Sequence, residues 1–393
     1  MERLRSPDLI GVPVIVGGSG DPTEARKVVT CASYEARTAG VRAGMPLRTA
    51  HRKLPDAVYL PLDMDAYDAA SSRVMSTLRD FGHPVEIWGW DEAYLGVHAL
   101  NDLRVGPGVT DTVADDTAFD DTDIRGLAAE LRAAVADREG LRCSIGISDN
   151  KQRAKMATGF AKDAMSADAG GLDIELPDKV FLLDDRNWLP LMGQRPPRDL
   201  WSVGPKTAAK LAGLGIDTVE RLIATPRDDL IATFGPHQGN WLYVLCRGGG
   251  DSTITVEPWE ARSHSKSRTY PRDLTDPDEK SAAATELARE LIDQVIREGR
   301  VAFRVAVTVR TSTFYTRTKS RKLAAPTVDP EIIVPVVVDL LGKFETDRPV
   351  RLLGVRLDLV PLDDPAAQGT EPPQQIADDP QPIADTPHTT TES

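Results

Sequence analysis

The residues most able to do chemistry in this chain are two adjacent carboxylates set in an apolar, aromatic stretch. Asp91 and Glu92 stand in the middle of Val85-Glu86-Ile87-Trp88-Gly89-Trp90-Asp91-Glu92-Ala93-Tyr94-Leu95-Gly96-Val97. Its β-branched and aromatic residues read as a strand or as the two arms of a tight hairpin. Two ionised carboxylates side by side are costly to bury unless cations compensate them, and a pair of divalent ions is the commonest compensation. Successive strand residues point to opposite faces, so both can serve one site only at a bulge or a turn, which Gly89 permits. The plainer alternative is a strand end that faces water.

Strands and helices alternate around this stretch. Residues 13–16, 27–32 and 58–62 read as strands and 45–54 as a helix. Residues 65–81 form an amphipathic helix with Ala69, Val74, Leu78 and Phe81 on one side. Beyond the carboxylates come a helix at 124–136, a strand at 141–147, and a helix at 150–164 carrying Lys151, Arg153, Lys155 and Lys162. The class is α+β or α/β. Residues 181–247 turn helical and loop-like. There, Trp201-Ser202-Val203-Gly204-Pro205-Lys206 and Leu214-Gly215-Ile216 suggest two short helices joined by a glycine turn. Such a helix start exposes backbone N–H groups to phosphate, with Gly204 and Lys206 as the contacts; a plain helix connector is the alternative.

Residues 263–270 and 351–359 read as strands, 301–310 with 312–321 as a hairpin, and 279–298 and 330–344 as helices. Alternation puts Arg317, Lys319 and Arg321 on one face of the hairpin, with Arg351 and Arg356 near in order. That is a footprint for a polyanion, or an ordinary solvated face.

At 393 residues, 41% hydrophobic and 27% charged, the chain has the make-up of a soluble protein of two to four domains. It has no apolar run of membrane-helix length, and residues 1–20 lack a signal peptide's pattern. A cytoplasmic monomer without a membrane partner is expected. Cys31, Cys143 and Cys246 are too scattered for a disulfide framework or a zinc site. The net charge of −13 argues against a nucleic-acid partner until it is located. Residues 101–123 hold seven Asp against Arg104, which gives −6, and residues 361–393 hold seven acidic residues and no Lys or Arg, which gives −7. Together these make −13, so the remainder is neutral and free to bind DNA. Both segments read as disordered, a loop and a tail.

Taken in order, several motifs resemble the Y-family DNA polymerases of the DinB, or DNA polymerase IV, type, which copy damaged templates. They are Thr30-Cys31-Ala32-Ser33-Tyr34-Glu35-Ala36-Arg37, Gly40-Val41-Arg42-Ala43-Gly44-Met45-Pro46, Asp91-Glu92-Ala93-Tyr94-Leu95, Gly146-Ile147-Ser148-Asp149-Asn150-Lys151, the helix–hairpin–helix at 203–218, and Arg351-Leu352-Leu353-Gly354-Val355. The resemblance implies a multidomain α+β architecture: a ferredoxin-like palm with fingers at 1–177 including the acidic loop, and a helix–hairpin–helix thumb at 178–247. A linker at 248–262, an α/β little finger at 263–360 and the acidic tail complete it. It further implies Asp91 and Glu92 as ligands of two Mg²⁺ ions, with Mn²⁺ able to substitute. Tyr34, Arg37 and Lys162, with Cys31 beside them, would hold the incoming nucleoside triphosphate. The partners would be primer-template DNA and that nucleotide, with Gly204, Lys206 and the basic strand residues on the DNA backbone. Taken singly, Tyr34 is an ordinary half-buried residue and Arg37 and Lys162 ordinary helix charges.

Departures from the family pattern bear on activity. The chain begins past the position of the family's first palm strand, which carries a further metal-binding Asp and the residue that screens the sugar. Two carboxylates of three are then expected, with weak or absent primer extension by the chain as it stands. Cys31, Ser33, Asp163 and Trp88-Gly89-Trp90 also replace the usual residues. The tail has no glutamine-led apolar motif, so a sliding-clamp contact is doubtful. A non-catalytic DNA-binding accessory is the alternative function. A palm-type nucleotidyl cyclase fits less well, because it has no duplex for the later domains to hold.

Overall fold

The structure is a computed structural model that describes residues 1–97, 121–162, 179–345 and 348–361. Nearly all of the acidic loop, the tail and Asp163 lie outside the described residues. In chain order the first elements are α1 (Glu2–Arg5), β1 (Val14–Val16), β2 (Cys31–Ala32), α2 (Tyr34–Thr38), α3 (Leu47–Lys53) and β3 (Val58–Leu60). Then come α4 (Met64–Arg79), β4 (Val85–Gly89), β5 (Glu92–Leu95), α5 (Asp121–Glu139), β6 (Ile145–Ile147), α6 (Lys151–Ala161) and β7 (Val180–Leu182). The helical stretch holds α7 (Asp185–Met192), α8 (Pro205–Gly213), α9 (Val219–Ala224), α10 (Arg227–Phe234) and α11 (Pro236–Cys246). The last part is β8 (Ser263–Leu274), α12 (Pro277–Arg297), β9 (Arg300–Thr311), β10 (Thr316–Thr327), α13 (Pro330–Gly342) and β11 (Val350–Pro361).

These elements compact into two units that do not follow chain order. One is residues 1–5 with 63–258; the other is residues 6–62 with 259–393. Residues 6–62, with β1 to β3, α2 and α3, thus group with the C-terminal sheet. Arg26 shows why: it pairs with Asp273 at 2.7 Å and donates to the Tyr270 carbonyl at 2.9 Å.

In the first unit, α4 buries Ala70, Met75 and Thr77 while Ala69 faces outward, about one position round from the expected stripe. Among the described residues the strands of this unit form two separate two-stranded sheets, antiparallel β4–β5 and parallel β6–β7. Helix α6 packs on β6 and β7; Gly146 is the point of closest approach, since a Cβ there would sit 2.2 Å from the Ala154 carbonyl oxygen. Phe160 and Ala157, fully buried, join α6 to the core of α7 through α11. There α8 ends in a Schellman turn: Gly215, at φ 78°, lets Ile216 N–H reach the Leu211 carbonyl at 3.0 Å before Thr218 caps α9.

Residues 248–255, the first part of the segment read as a linker at 248–262, are hydrogen-bonded to this unit. Asn150 donates to the Gly248 carbonyl at 2.8 Å, Gln152 accepts from Asp251 N–H at 2.7 Å, and Glu86 accepts from Thr255 N–H at 2.8 Å. Gly250 makes the approach possible, since an added Cβ would lie 2.2 Å from the Gln152 Oε1.

In the second unit the sheet order is β10-β9-β11-β8, with α12 and α13 on one face. Val305, Val307 and Val309 of β9 and Leu353, Val355 and Leu357 of β11 form the helix-covered core.

Candidate active site

The β4–β5 hairpin explains how two neighbouring carboxylates can serve one place. Val85 pairs with Leu95, Glu86 with Tyr94, Ile87 with Ala93 and Gly89 with Glu92, so a bulge takes up Trp88 and a two-residue turn, Trp90–Asp91, closes the hairpin. Both devices foreseen for this stretch are present. Asp91 stands exposed in the turn, and Glu92 opens β5 on the face that also carries Tyr94 and Glu86. Trp88 lies edge-on to Tyr94 and to Trp201, with ring centroids 5.7 and 6.2 Å apart.

That face meets α6. Lys151, buried, pairs with Glu86 at 3.2 Å and Asp251 at 2.7 Å, and Lys155 pairs directly with Glu92. Burial pulls the Lys151 pKa down, but its hydrogen bonds to Asp251 and Glu86 outweigh that and hold it above its ordinary value. Burial, reinforced by the charges of Glu92 and Glu86, pushes the Tyr94 phenol up to about 12, so it stays protonated at neutral pH. Lys162 caps α6 with an exposed side chain. It follows Lys155 by seven residues, hence on the same helix face and about 10 Å further along. Reading by sequence named Lys162 and passed over Lys155; the repeat of Lys at 151, 155 and 162 was the available signal.

Tyr34 and Arg37 belong to the second unit. Ser33 caps α2, its hydroxyl accepting from Ala36 N–H. Tyr34 is 74% exposed, the Arg37 guanidinium lies 5.3 Å from its ring centroid, and Arg37 Nε donates to the Ala32 carbonyl at 2.9 Å. Cys31, on β2, is exposed beside them. Tyrosine and guanidinium thus form one outward-facing pair with several donors left for an anion.

Gly204 caps α8 and is followed by Pro205, so the helix starts with an exposed turn beside Lys206. The basic residues of the strands divide between the two faces of the sheet. Arg317, Lys319 and Arg321 lie opposite Val309, Val307 and Val305, on the helix-covered face of the sheet. Arg321 pairs with Asp339 of α13 and Lys319 donates to the Lys343 carbonyl. Strand alternation puts the open face on the other parity: Arg304, Thr308 and Arg310 of β9, Thr318 and Lys322 of β10, Gly354 and Arg356 of β11, and Ser265 and Ser267 of β8. Arg356 lies on that open face; Arg351, at the register shift in β11, stacks 4.6 Å from the Phe314 ring centroid. Burial and the nearby Arg26 charge pull its pKa below the ordinary value.

The donor set at the hairpin tip suits a hard divalent cation. Mg²⁺ is commonly held by one or two carboxylates, with substrate phosphates completing its shell. Among the described residues no three His, Cys, Asp or Glu side chains gather into a metal site of their own. No helix among the described residues is long and apolar enough to cross a membrane.

Comparison with known proteins gives the family. Residues 1–159 match the impB/mucB/samB family, residues 261–370 its C-terminal domain, and residues 198–249 the thumb domain described for DNA polymerase-iota. The chain is 52% identical over 359 residues to DNA polymerase IV 2 of Mycobacterium tuberculosis, covering 91% of this chain and 94% of that one. It is 33% identical to DNA polymerase IV of Methanoculleus marisnigri, covering 92% and 91%. Its fold is similar to a solved Y-family DNA polymerase chimera of Dbh and Dpo4, with TM-score 0.74 and 22% identity over 91% of this chain and 94% of that one. An insertion ternary complex of Dbh DNA polymerase gives TM-score 0.56 at 22% identity, covering 91% and 95%. Enzymes of this family use divalent metal ions. The chain belongs to the Y-family DNA polymerases, in the DNA polymerase IV branch that carries out translesion synthesis.

Proposed function

We propose that nucleotide addition by this chain is organised on the β4–β5 hairpin, with Asp91 and Glu92 as the ligands of two Mg²⁺ ions. The observation that carries this is the hairpin itself, which sets one carboxylate in a two-residue turn and the next on the face that meets the lysine row of α6. Bound divalent ions supply charge stabilisation to the phosphoryl oxygens in an in-line displacement. The chain's own residues bind and orient. The Arg37 guanidinium offers a planar fork to phosphate oxygens, the Tyr34 phenol one directed hydrogen bond, and Lys162 a point charge. Cys31 lines the nucleotide's approach beside them.

Primer-template DNA is the second partner. The α8 start at Gly204 and Lys206 suits one backbone phosphate, and the open face of the β8–β11 sheet, with Arg304, Arg310, Lys322 and Arg356, suits others. The reading has the protein acting as a cytoplasmic monomer. Lys322→Ala, which removes an exposed cation from that open face, is expected to lower the salt slope of duplex binding by about one unit. Arg321→Ala, whose guanidinium serves Asp339, should leave that slope unchanged. Filter binding between low and physiological salt checks both. Arg37→Ala is expected to raise the KM for the incoming nucleotide about tenfold or more, with primer-template affinity kept, as steady-state single-nucleotide insertion would show.

The deciding experiment is primer extension by the purified chain with Mg²⁺, with and without EDTA. Metal-dependent extension supports the reading. Tight primer-template binding without any extension would move the chain to the accessory role.

A further inference from the structure

The Glu92 carboxylate already has a cation of its own. Lys155 reaches it from α6, and the two side chains keep 30% and 37% of their surface in water. The other members of the row are placed differently. Lys151 is sealed against Glu86 and Asp251, and Lys162 projects into solvent at the helix end. An ammonium on a four-carbon stem is a compact charge that can swing between partners, and the partial exposure of this pair leaves it room to do so. Asp91 and Glu92 carry two negative charges and Lys155 returns one. A divalent cation drawn to the hairpin tip therefore meets an ammonium already seated on one of its two carboxylates.

We propose that Lys155 is a tethered counter-cation, which holds Glu92 in place between insertion events and competes with divalent metal for that carboxylate. The inference rests on the assignment of Asp91 and Glu92 as metal ligands. It makes Lys155 a positioning residue that acts through Glu92. A lysine that did no more than fasten α6 to the hairpin has a different signature, because loosening that joint leaves metal binding unchanged or weakens it.

The test is equilibrium binding of Mn²⁺ alone to the full chain, with free Mn²⁺ followed by its electron paramagnetic resonance signal. Lys155→Gln should bind Mn²⁺ about two- to fivefold more tightly than the wild type, the range that a partly exposed ion pair represents. Lys155→Ala should move the same way, and Lys155→Arg, which keeps the charge, should stay close to the wild type. Asp91→Asn should bind more weakly, which isolates the hairpin site from the acidic segments elsewhere in the chain. Unchanged or weaker binding by both Lys155→Gln and Lys155→Ala, with Asp91→Asn still weakened, overturns the proposal and leaves the carboxylate assignment standing. Wild-type affinity in Asp91→Asn removes that assignment and the proposal with it.

Discussion

Asp91→Ala is expected to abolish whatever single-nucleotide insertion the wild type shows, a loss of about a thousandfold or more where the wild-type rate is high enough to measure it, while primer-template affinity changes by less than about threefold. The size follows from the role. A carboxylate that places divalent charge beside the reacting phosphate contributes to the transition state rather than to ground-state binding. Losing one preorganised electrostatic contact of that sort costs about two to three orders of magnitude, and losing a metal ligand should exceed it. Asp91 is exposed in a turn and makes no core contact, so the fold should survive its removal. Glu92→Ala should lose insertion to a similar degree, and it also frees Lys155. Rapid-quench insertion beside fluorescence anisotropy of labelled primer-template separates chemistry from grip. Normal insertion by both variants would place the chemistry elsewhere.

Lys151→Met is expected to destabilise the fold of the first unit strongly. It removes the ammonium held by Glu86 and Asp251 and leaves Glu86, itself 9% exposed, without a charge partner in a buried setting. Breaking a buried pair from one side costs roughly 3 kcal/mol or more, which is a large part of a domain's stability. The damage should spread, because Glu86 also anchors Thr255 and the Lys151 N–H anchors the Asp251 carbonyl at 2.9 Å. The pH dependence carries the signature. The Asp251 carboxyl is raised by burial but lowered more strongly by its hydrogen bonds to Lys151 and Thr253, so its folded value lies below the ordinary 3.8. Its contribution is complete above pH 3.8 and fades as pH falls through the folded value. Lys151, held above its ordinary 10.5, contributes below that pH and loses its contribution as pH climbs further. The stability gap between wild type and Lys151→Met, followed by urea unfolding, should be widest between about pH 5 and pH 10. It should narrow on the acid side, and a gap that stays constant down to pH 2 would rule out this link.

How much of this was legible in the sequence depended on how one-sided each local pattern was. The carboxylate hairpin was legible because its flanks are β-branched and aromatic, and because Gly89 lies where a bulge or turn was needed. The helix–hairpin–helix was legible for the same kind of reason: Gly204-Pro205 and Leu214-Gly215 mark a helix start and a helix stop close together. The facing of β10 was not legible. Both of its parities are polar, Thr316, Thr318 and Ser320 against Arg317, Lys319 and Arg321, so charge alone suggested the wrong side. The one inward residue, Leu323, shares its parity with the arginines and was the clue. The attachment of residues 248–255 was not legible, because nothing in Gly248-Gly249-Gly250 itself says that Asn150 and Gln152, about a hundred residues earlier, come to close range. Lys155 was missed because a lysine on a helix looks like a solvated charge until its carboxylate partner, 63 residues away in the chain, is placed.

On the binding mode proposed above, the open sheet face would set how long an encounter with DNA lasts. It presents four cations among the described residues, and Asp358 sits among them, 3.6 Å from Arg304 and 3.1 Å from Arg356. Serine, threonine and glycine, with Ala306 and Leu352, fill the rest, a surface that suits a sugar-phosphate backbone better than base edges. Each phosphate neutralised contributes slightly less than one unit to the salt slope, so on the proposed binding mode a face with so few unshared charges should release a duplex readily at physiological salt. Such a grip makes each contact with DNA brief, and the stretch copied in one encounter correspondingly short.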